Sequence, residues 1–149
     1  MPGADVSGGA YDPGMRASGT FKVTDFTPTP LPSPAIETAL PVNVSTMEKQ
    51  YEGEITGRSA TLFTAAFDQS GGAGTYVAME SFEGTLHGQA GTFNFVHSAT
   101  TRGEGREDEF FAVVRGSGTA ALTGITGAGG MAVDADGTHR IWFDYELGP

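Results

Sequence analysis

One stretch of the sequence, residues 74–100, limits the possible fold more than any other. It reads GTYVAMESFEGTLHGQAGTFNFVHSAT, with aromatic and β-branched residues filling both halves. The segment between the halves, residues 87–91, has the Gly-x-x-Gly spacing that is typical of a hairpin loop. This pattern predicts one long β-hairpin. Two strands alone are not stable in water, so the rest of the chain must provide strands that pair with them.

The remaining sequence contains about six further β-rich segments separated by turn residues. The segments with period-two alternation or β-rich composition are residues 17–26, 42–55, 59–68, 109–115 continued by 120–123, 129–134 and 139–147. We predict turns at Thr56-Gly57 and at Asp136-Gly137, and a bulge near Gly53. Five prolines between residues 28 and 41 rule out a regular helix there and predict an ordered crossing loop or an extended arm.

The strand count and spacing predict an all-β protein. Seven or eight short strands with turns between them are typical of a barrel or a sandwich. Closure into a barrel is favoured because the chain has few lysines to guard exposed strand edges. We therefore predict a small antiparallel eight-stranded β-barrel over residues 17–149, preceded by a flexible tail over residues 1–16. A barrel of this size is either filled by side chains or holds one small ligand.

The tail has a second interpretation, in which it acts as a lid. In that case Tyr11 and Met15 would close the mouth of the barrel.

Composition excludes several classes of partner. The formal net charge is −10, which opposes binding to phosphate backbones and to anionic membranes. No apolar run approaches the roughly 18–20 residues that a membrane span needs. The chain has no cysteine, which fits a reducing compartment. We therefore expect no nucleic-acid partner, no membrane association and a cytoplasmic location.

Several short motifs resemble those of a bacterial family catalogued as domain of unknown function 3224. They are A-x-G-x-F-x-V from Ala17, E-G-x-x-x-G from Glu52, G-T-L-x-G-x-x-G-x-F from Gly84, G-S-G-T-x-x-L-x-G-x-x-G from Gly116 and F-D-Y-E from Phe143. The fourth motif is also similar to the late strands of allene oxide cyclase-like barrels, which include plant allene oxide cyclases and bacterial spirotetronate cyclases. These resemblances imply a calycin-like barrel with a mostly apolar cavity, often in homodimers.

Glu80 and His97 form the best candidate catalytic pair. If the hairpin turns about Gln89, facing positions have numbers that sum to 178 or 179, so Glu80 lies opposite Ser98 or Ala99 with His97 close by. A carboxylate beside an imidazole can hold or move a proton near neutral pH. Alternatively, the two residues form a buried polar pair with a structural role, or one of them faces solvent. Tyr76, on the same hairpin, is a third candidate.

Aromatic residues are the candidate lining of the cavity. They are Phe63, Phe67, Phe82, Phe93, Phe95 and Trp142, and each has plain core packing as its alternative. The three histidines show no metal-ligand spacing, so we predict no metal site and no other cofactor.

Two functions remain open at this point. The first is a cofactor-free cyclase or isomerase that holds a small apolar substrate in the barrel and uses Glu80, His97 and Tyr76 for proton transfer or polarisation. The second is a non-catalytic carrier or sensor for a hydrophobic metabolite. A structural oligomer with a filled barrel is a third possibility, and it predicts no cavity.

Overall fold

The computed structural model describes residues 14–30, 36–68, 70–102 and 105–148. These residues form eight strands and one short 3₁₀ helix, η1. The strands are β1 (Met15–Thr29), β2 (Val42–Gly53), β3 (Ile55–Phe67), β4 (Ala73–Leu86), β5 (Gln89–Arg102), β6 (Arg106–Val113), β7 (Thr126–Val133) and β8 (His139–Glu146), and η1 is Ala120–Leu122. Each strand pairs antiparallel with the next, and β1 pairs with β8, so the sheet closes into a ring. The all-β prediction is confirmed.

The first strand begins two residues before the predicted start of the domain. Met15 pairs with Tyr145, and Arg16 pairs with Asp144. The Arg16 and Asp144 side chains form an ion pair on the outer surface. The lid interpretation rests partly on Tyr11, which lies outside the described residues. The predicted proline-rich segment begins later than expected, because β1 extends through Pro28 to Thr29, and residues 31–35 of that segment lie outside the described residues.

The turn between β2 and β3 lies earlier than predicted. It is at Gly53 and Glu54, where Gly53 has a φ of +113°, rather than at Thr56-Gly57. The expected bulge near Gly53 is therefore this turn. Gly57 instead lies within β3 opposite Gly84, where the two backbones leave no space for a side chain.

The central hairpin is present, but its turn is tighter than predicted. It has two residues, His87 and Gly88, both with positive φ, and Leu86 pairs with Gln89. Facing residues therefore have numbers that sum to 175, not 178 or 179. Glu80 lies opposite Phe95, and His97 lies opposite Ala78.

The segment after β6 does not continue as the predicted strand over residues 120–123. The chain leaves the ladder after Val113 and forms η1, with Ala120 at a φ of +50°. The segment after β6 still provides hydrogen-bond acceptors for the backbone N–H groups at the edge of β5. The Ser117 hydroxyl accepts from the Asn94 N–H, and the Thr119 hydroxyl accepts from the Thr92 N–H.

This departure leaves a weak seam in the ring. Strands β6 and β7 are paired only at Ala112 and Ala128, whereas β7 and β8 are paired along eight positions. The ring is therefore not closed between β6 and β7 by a continuous ladder of backbone hydrogen bonds. Asp136-Gly137, between β7 and β8, forms the predicted turn, with the Gly137 N–H donating to the Asp134 carbonyl.

The interior of the ring has three layers along the strands. One end is a packed apolar core that includes Phe82, Phe93, Phe95 and Phe143. The middle layer is polar and buried, with Lys49, Ser59, Thr61, Glu80 and His97. The other end, which we call the open end, carries a smaller apolar cluster of Ala65, Tyr76, Ala78 and Ala99 with Phe63 and Phe67 against it.

The described part of the chain contains no helix with the length and apolar character needed to cross a membrane.

Candidate functional site

Glu80 is the centre of the buried polar layer. It lies on β4, two residues before Phe82, and it has no solvent exposure. Its Oε1 accepts hydrogen bonds from the Tyr51 hydroxyl at 2.9 Å and the Ser59 hydroxyl at 2.8 Å. Its Oε2 accepts from Lys49 Nζ at 2.6 Å and from His97 Nε2 at 2.5 Å. Four donors therefore converge on one carboxylate.

These donors keep Glu80 ionised although it is buried. Burial alone would raise the pKa of the carboxyl, but the hydrogen bond from His97 and the charge of Lys49 outweigh burial and hold the pKa at about 2. The Lys49 ammonium is itself buried and lies 4.7 Å from the centre of the Phe21 ring. The interior thus contains a compensated pair of opposite charges.

His97 is neutral at neutral pH in this setting. Burial lowers the pKa of its imidazole, and the neighbouring carboxylate of Glu80 opposes that shift only in part. A neutral imidazole has one N–H and one bare nitrogen. Because Nε2 faces the Glu80 carboxylate, the proton is on Nε2, and Nδ1 is left as an acceptor. The ring packs against Phe95 and Phe111, with ring centres 5.9 Å and 5.8 Å away, and these two phenylalanine rings are also 5.3 Å from each other.

Tyr76 and Arg106 extend the network to the open end. The Tyr76 hydroxyl lies 3.0 Å from His97 Nδ1 and accepts a hydrogen bond from Arg106 at 2.7 Å. Since Arg106 only donates and Nδ1 only accepts, the hydroxyl proton of Tyr76 points to His97. The Tyr76 ring is also flanked by Phe63, stacked at 5.2 Å, and by the Arg106 guanidinium at 5.5 Å.

The resulting chain of donors has one direction. Arg106 donates to Tyr76, Tyr76 donates to His97, and His97 donates to Glu80. Proton movement along this chain would convert a neutral His97 into an imidazolium beside a carboxylate. The arrangement is suited to taking up and returning one proton at Tyr76.

Two pockets lie near Tyr76, which contacts a lining residue of each but lines neither itself. The first, which we call the seam pocket, lies between β6 and β7 and has a volume of about 170 Å³. Its lining includes His97, Arg106, Phe111, Met131 and Trp142. The second, which we call the ring-end pocket, has a volume of about 230 Å³ and is lined by Phe26, Pro28, Asn43, Ser45, Phe63, Ala65 and Phe67.

Among the described residues there is no cluster of three His, Asp or Glu side chains placed to hold a metal ion. His87 lies in the turn between β4 and β5, where it bonds to the Arg16 carbonyl oxygen, and His139 is the first residue of β8 and stacks on Phe21.

Comparison with known proteins assigns the chain to a family. The family described as "Protein of unknown function (DUF3224)" matches residues 17–145. The chain belongs to the DUF3224 family. No curated protein matches it.

A solved structure of the DUF3224 family supports the same fold. It is the crystal structure of a protein of unknown function from Shewanella oneidensis MR-1, which is 25% identical. The superposition has a TM-score of 0.76 and covers 91% of this chain and 98% of that one.

In this DUF3224 protein, the three predicted catalytic residues lie together. Glu80, His97 and Tyr76 are all buried and are joined by consecutive hydrogen bonds. They share the inner face of the hairpin. In the observed register, the even-numbered residues of β4 from Tyr76 to Phe82 and the odd-numbered residues of β5 from Phe93 to Ala99 face inwards.

The six aromatic residues predicted to line a cavity are divided among three places. Phe82, Phe93 and Phe95 fill the packed core rather than lining a pocket, with ring centres of neighbouring pairs 5.1 and 6.1 Å apart. Phe63 and Phe67 line the ring-end pocket. Trp142 alternates with buried Ile141 and Phe143 and so faces outwards, where it packs on Gly130 beside the seam pocket.

Sequence reasoning missed four residues of the network, namely Lys49, Tyr51, Ser59 and Arg106. One signal was available for Lys49. It alternates with Met47 and Tyr51, while Glu48, Gln50 and Glu52 occupy the other face of the same strand. A lysine on the less polar face of a strand indicates a buried ion pair. Arg106 gave no such signal, because a bulge between Ser98 and Thr100 sets which β6 residues face inwards.

Proposed function

We propose that this DUF3224 protein is a cofactor-free isomerase or cyclase that acts on a small apolar substrate bearing a carbonyl group. The observation that carries the proposal is the directed hydrogen-bond chain from Arg106 to Glu80, which reaches the seam pocket at His97 and Arg106. The apolar part of the substrate would lie against Phe111 and Met131.

The proposed reaction moves one proton within the substrate. The free lone pair of the Tyr76 oxygen takes a proton from a carbon next to the carbonyl, while the Tyr76 hydroxyl proton passes to His97 Nδ1. The imidazolium that forms is stabilised by the Glu80 carboxylate. Reversal of the two transfers returns a proton to a different carbon of the enolate, so the substrate is rearranged and the protein is unchanged.

Arg106 is the group suited to stabilising the enolate. Its guanidinium has five N–H donors, of which one is directed to Glu109 and one to Tyr76 in the described structure. The remaining donors are available to a carbonyl oxygen, whose hydrogen bonds strengthen as negative charge develops. A neutral substrate is favoured because the net charge of −10 repels anions.

The seam pocket limits the size of the reacting part. At roughly 30 Å³ for each water-sized atom, it accommodates about six heavy atoms. The conversion of 3-cyclohexenone to 2-cyclohexenone is a suitable test, since its ring has six atoms, with the carbonyl oxygen as a seventh, and the reaction moves one proton. The conjugated product is followed by its ultraviolet absorbance.

We expect the wild-type protein to accelerate this isomerisation about 10²-fold or more over Tyr76→Phe and Glu80→Gln. Glu83→Gln is the matched control, because Glu83 lies on the same strand but faces solvent and pairs with Arg58. Equal rates for wild type and Tyr76→Phe, with both proteins folded, would overturn the isomerase proposal.

A carrier or sensor is the second candidate, and one observation favours it. In the unliganded network the Glu80 carboxylate and both His97 nitrogens already have hydrogen-bond partners, so a ligand could bind in the seam pocket without chemistry. A carrier would show 3-cyclohexenone binding by NMR with no conversion.

The finer parts of the family resemblance also stay predictions. They are a true barrel of the allene oxide cyclase-like or calycin-like kind, a homodimer and a cytoplasmic location. The absence of cysteine from the sequence fits the last of these.

A further inference from the structure

The ring-end pocket is separate from the proposed reaction site. It opens between β1, β2 and β3, whereas the seam pocket lies between β6 and β7. The stacked rings of Phe63 and Tyr76 stand between them. A ligand in the ring-end pocket would therefore lie on the other side of Tyr76 from Arg106.

Two hydroxyl-bearing residues on this side make no side-chain hydrogen bond to another described residue. The Thr61 Oγ1 is buried and makes no hydrogen bond. Ser45 is 5% exposed, lines the pocket, and makes no side-chain hydrogen bond to another described residue. A buried polar group without a partner is unfavourable, so the Thr61 hydroxyl is a position where a ligand atom would be stabilised, and the Ser45 hydroxyl borders the pocket and can bond to the same ligand.

The two hydroxyl-bearing residues are close enough to serve one ligand. Ser45 on β2 pairs with Phe63 on β3, and Thr61 lies two residues along β3, on the same inward face. Diagonal neighbours of this kind have Cα atoms about 7–8 Å apart. Ser45 lines the pocket, whereas Thr61 lies one residue pair deeper and is not among the lining residues, so a head group bound at Ser45 would reach Thr61 by extending beyond the pocket floor.

The lining of the pocket selects against charge. Its seven residues are uncharged, and three of them are phenylalanines. The nearest buried charges, Lys49 and Glu80, form an ion pair with each other at 2.6 Å. An ionised head group would thus lose its hydration without gaining a counter-charge. Serine and threonine hydroxyls both donate and accept, so they suit a neutral hydroxyl or carbonyl.

The entrance carries an exposed aromatic side chain. Phe26 is 53% exposed and contacts Phe63 edge to face, with ring centres 6.2 Å apart. A half-exposed phenylalanine beside a concave apolar surface is a favourable contact for the flat body of a small ligand. At roughly 30 Å³ for each water-sized atom, the volume accommodates about eight heavy atoms.

We propose that the ring-end pocket is a second small-molecule site, which binds a neutral aromatic or aliphatic molecule of about eight heavy atoms through one hydroxyl or carbonyl head group held by Ser45 and Thr61. The apolar body lies against Phe63 and Phe67. The site does not depend on the proposed isomerase, because none of its lining residues belongs to the chain from Arg106 to Glu80.

The test compares four probes that share one ring and differ in the head group. Benzyl alcohol, toluene, benzoate and benzylammonium are titrated into the wild-type protein, and binding is followed by NMR shifts of Ser45, Thr61 and Phe63. We expect benzyl alcohol to bind most tightly, and contacts from its ring protons to Phe63 and Phe67. Tighter binding of benzoate or benzylammonium, or equal binding of toluene, would overturn the proposal.

Variants locate the head group. Ser45→Ala and Thr61→Val each remove one hydroxyl and should weaken benzyl alcohol about fivefold, as expected for one lost hydrogen bond. Thr46→Val is the matched control, because Thr46 is the exposed neighbour of Ser45 on the outer face. Toluene binding should be unchanged in all three. If benzyl alcohol binds the two variants as tightly as it binds the control, the assignment of the head group is wrong.

Discussion

The Nε2 atom of His97 lies 2.5 Å from Oε2 of Glu80, although neither residue is the direct partner of the other. Glu80 pairs with Phe95 and His97 pairs with Ala78, so the two side chains meet diagonally on the inner face of the hairpin. This diagonal contact joins the ion pair with Lys49 to the hydrogen-bond chain through Tyr76.

Replacement of Glu80 should be strongly destabilising. Glu80→Gln removes the charge that compensates Lys49 and leaves a buried ammonium without a counter-ion, so we expect a loss of about 3–5 kcal/mol in the free energy of unfolding. Urea denaturation measures this loss. Glu83→Gln breaks only an exposed ion pair with Arg58 and should change stability by less than about 1 kcal/mol. Similar losses for the two variants would contradict a buried ion pair.

Stability should fall on mild acidification because of His97. The folded pKa of His97 is below its ordinary value of 6.5, so the unfolded chain binds a proton that the native protein does not, and stability decreases as pH falls through 6.5. One proton gives at most about 1.4 kcal/mol for each pH unit. Urea midpoints between pH 8 and 5 should therefore have a steeper slope for wild type than for His97→Gln.

The opposite result would have a clear meaning. If wild type lost less stability than His97→Gln on acidification, the native protein would be binding the proton. The lowered pKa of His97 would then be wrong.

Glu80 contributes to the pH dependence of stability at a lower pH than His97 does. Its folded pKa of about 2 lies below the ordinary value of 4.5, so its stabilising effect is complete above 4.5 and is lost as pH falls towards 2. Denaturation of the wild type between pH 5 and 2 should show this loss, and a Glu80→Gln variant that remains folded should lack that component of the slope.

His97 should carry its proton on Nε2. Nitrogen-15 NMR at pH 7 should show a neutral imidazole with a protonated Nε2 and a bare Nδ1 that accepts from Tyr76. Tyr76→Phe removes that donor, so we expect the Nδ1 resonance to shift and stability to fall by about 1 kcal/mol. His139→Gln is the control for assignment, because the His139 side chain makes no hydrogen bond to the network and contacts Phe21 instead. A protonated Nδ1 in wild type would reverse the direction of the chain.

The β3–β4 crossing should not tolerate a side chain. In Gly84→Ala the new Cβ would collide with the backbone carbonyl of Thr56 and approach Gly57, so we expect a loss of about 3 kcal/mol or failure to fold. Gly88→Ala is the control. Gly88 has a φ of +78° and no neighbour within 4 Å, so only backbone strain of about 1 kcal/mol is expected. Thermal denaturation distinguishes the two.

The alternation of side chains along β4 was enough to predict that Glu80 and Tyr76 share a face. It was not enough to place His97. The predicted sums of 178 and 179 differ by one residue, and a one-residue slip moves every side chain of a strand to the opposite face. The observed sum of 175 is odd, like 179, so His97 lies on the same face as Glu80. The two-residue turn at His87-Gly88 decides this, and the sequence is also compatible with a longer loop.

By itself the sequence determined the all-β class, the central hairpin and the candidates Glu80, His97 and Tyr76, because strand periodicity and turn chemistry are local properties. The tertiary structure decided which residues surround Glu80. Lys49, Tyr51 and Ser59 reach it only through the registers of β2, β3 and β4, and Arg106 reaches Tyr76 only because of the bulge in β5 and β6. Ring closure also decided that Phe82, Phe93 and Phe95 fill the core while Phe63 and Phe67 line a pocket. These are long-range contacts, and their geometry depends on how all eight strands close together rather than on any one segment.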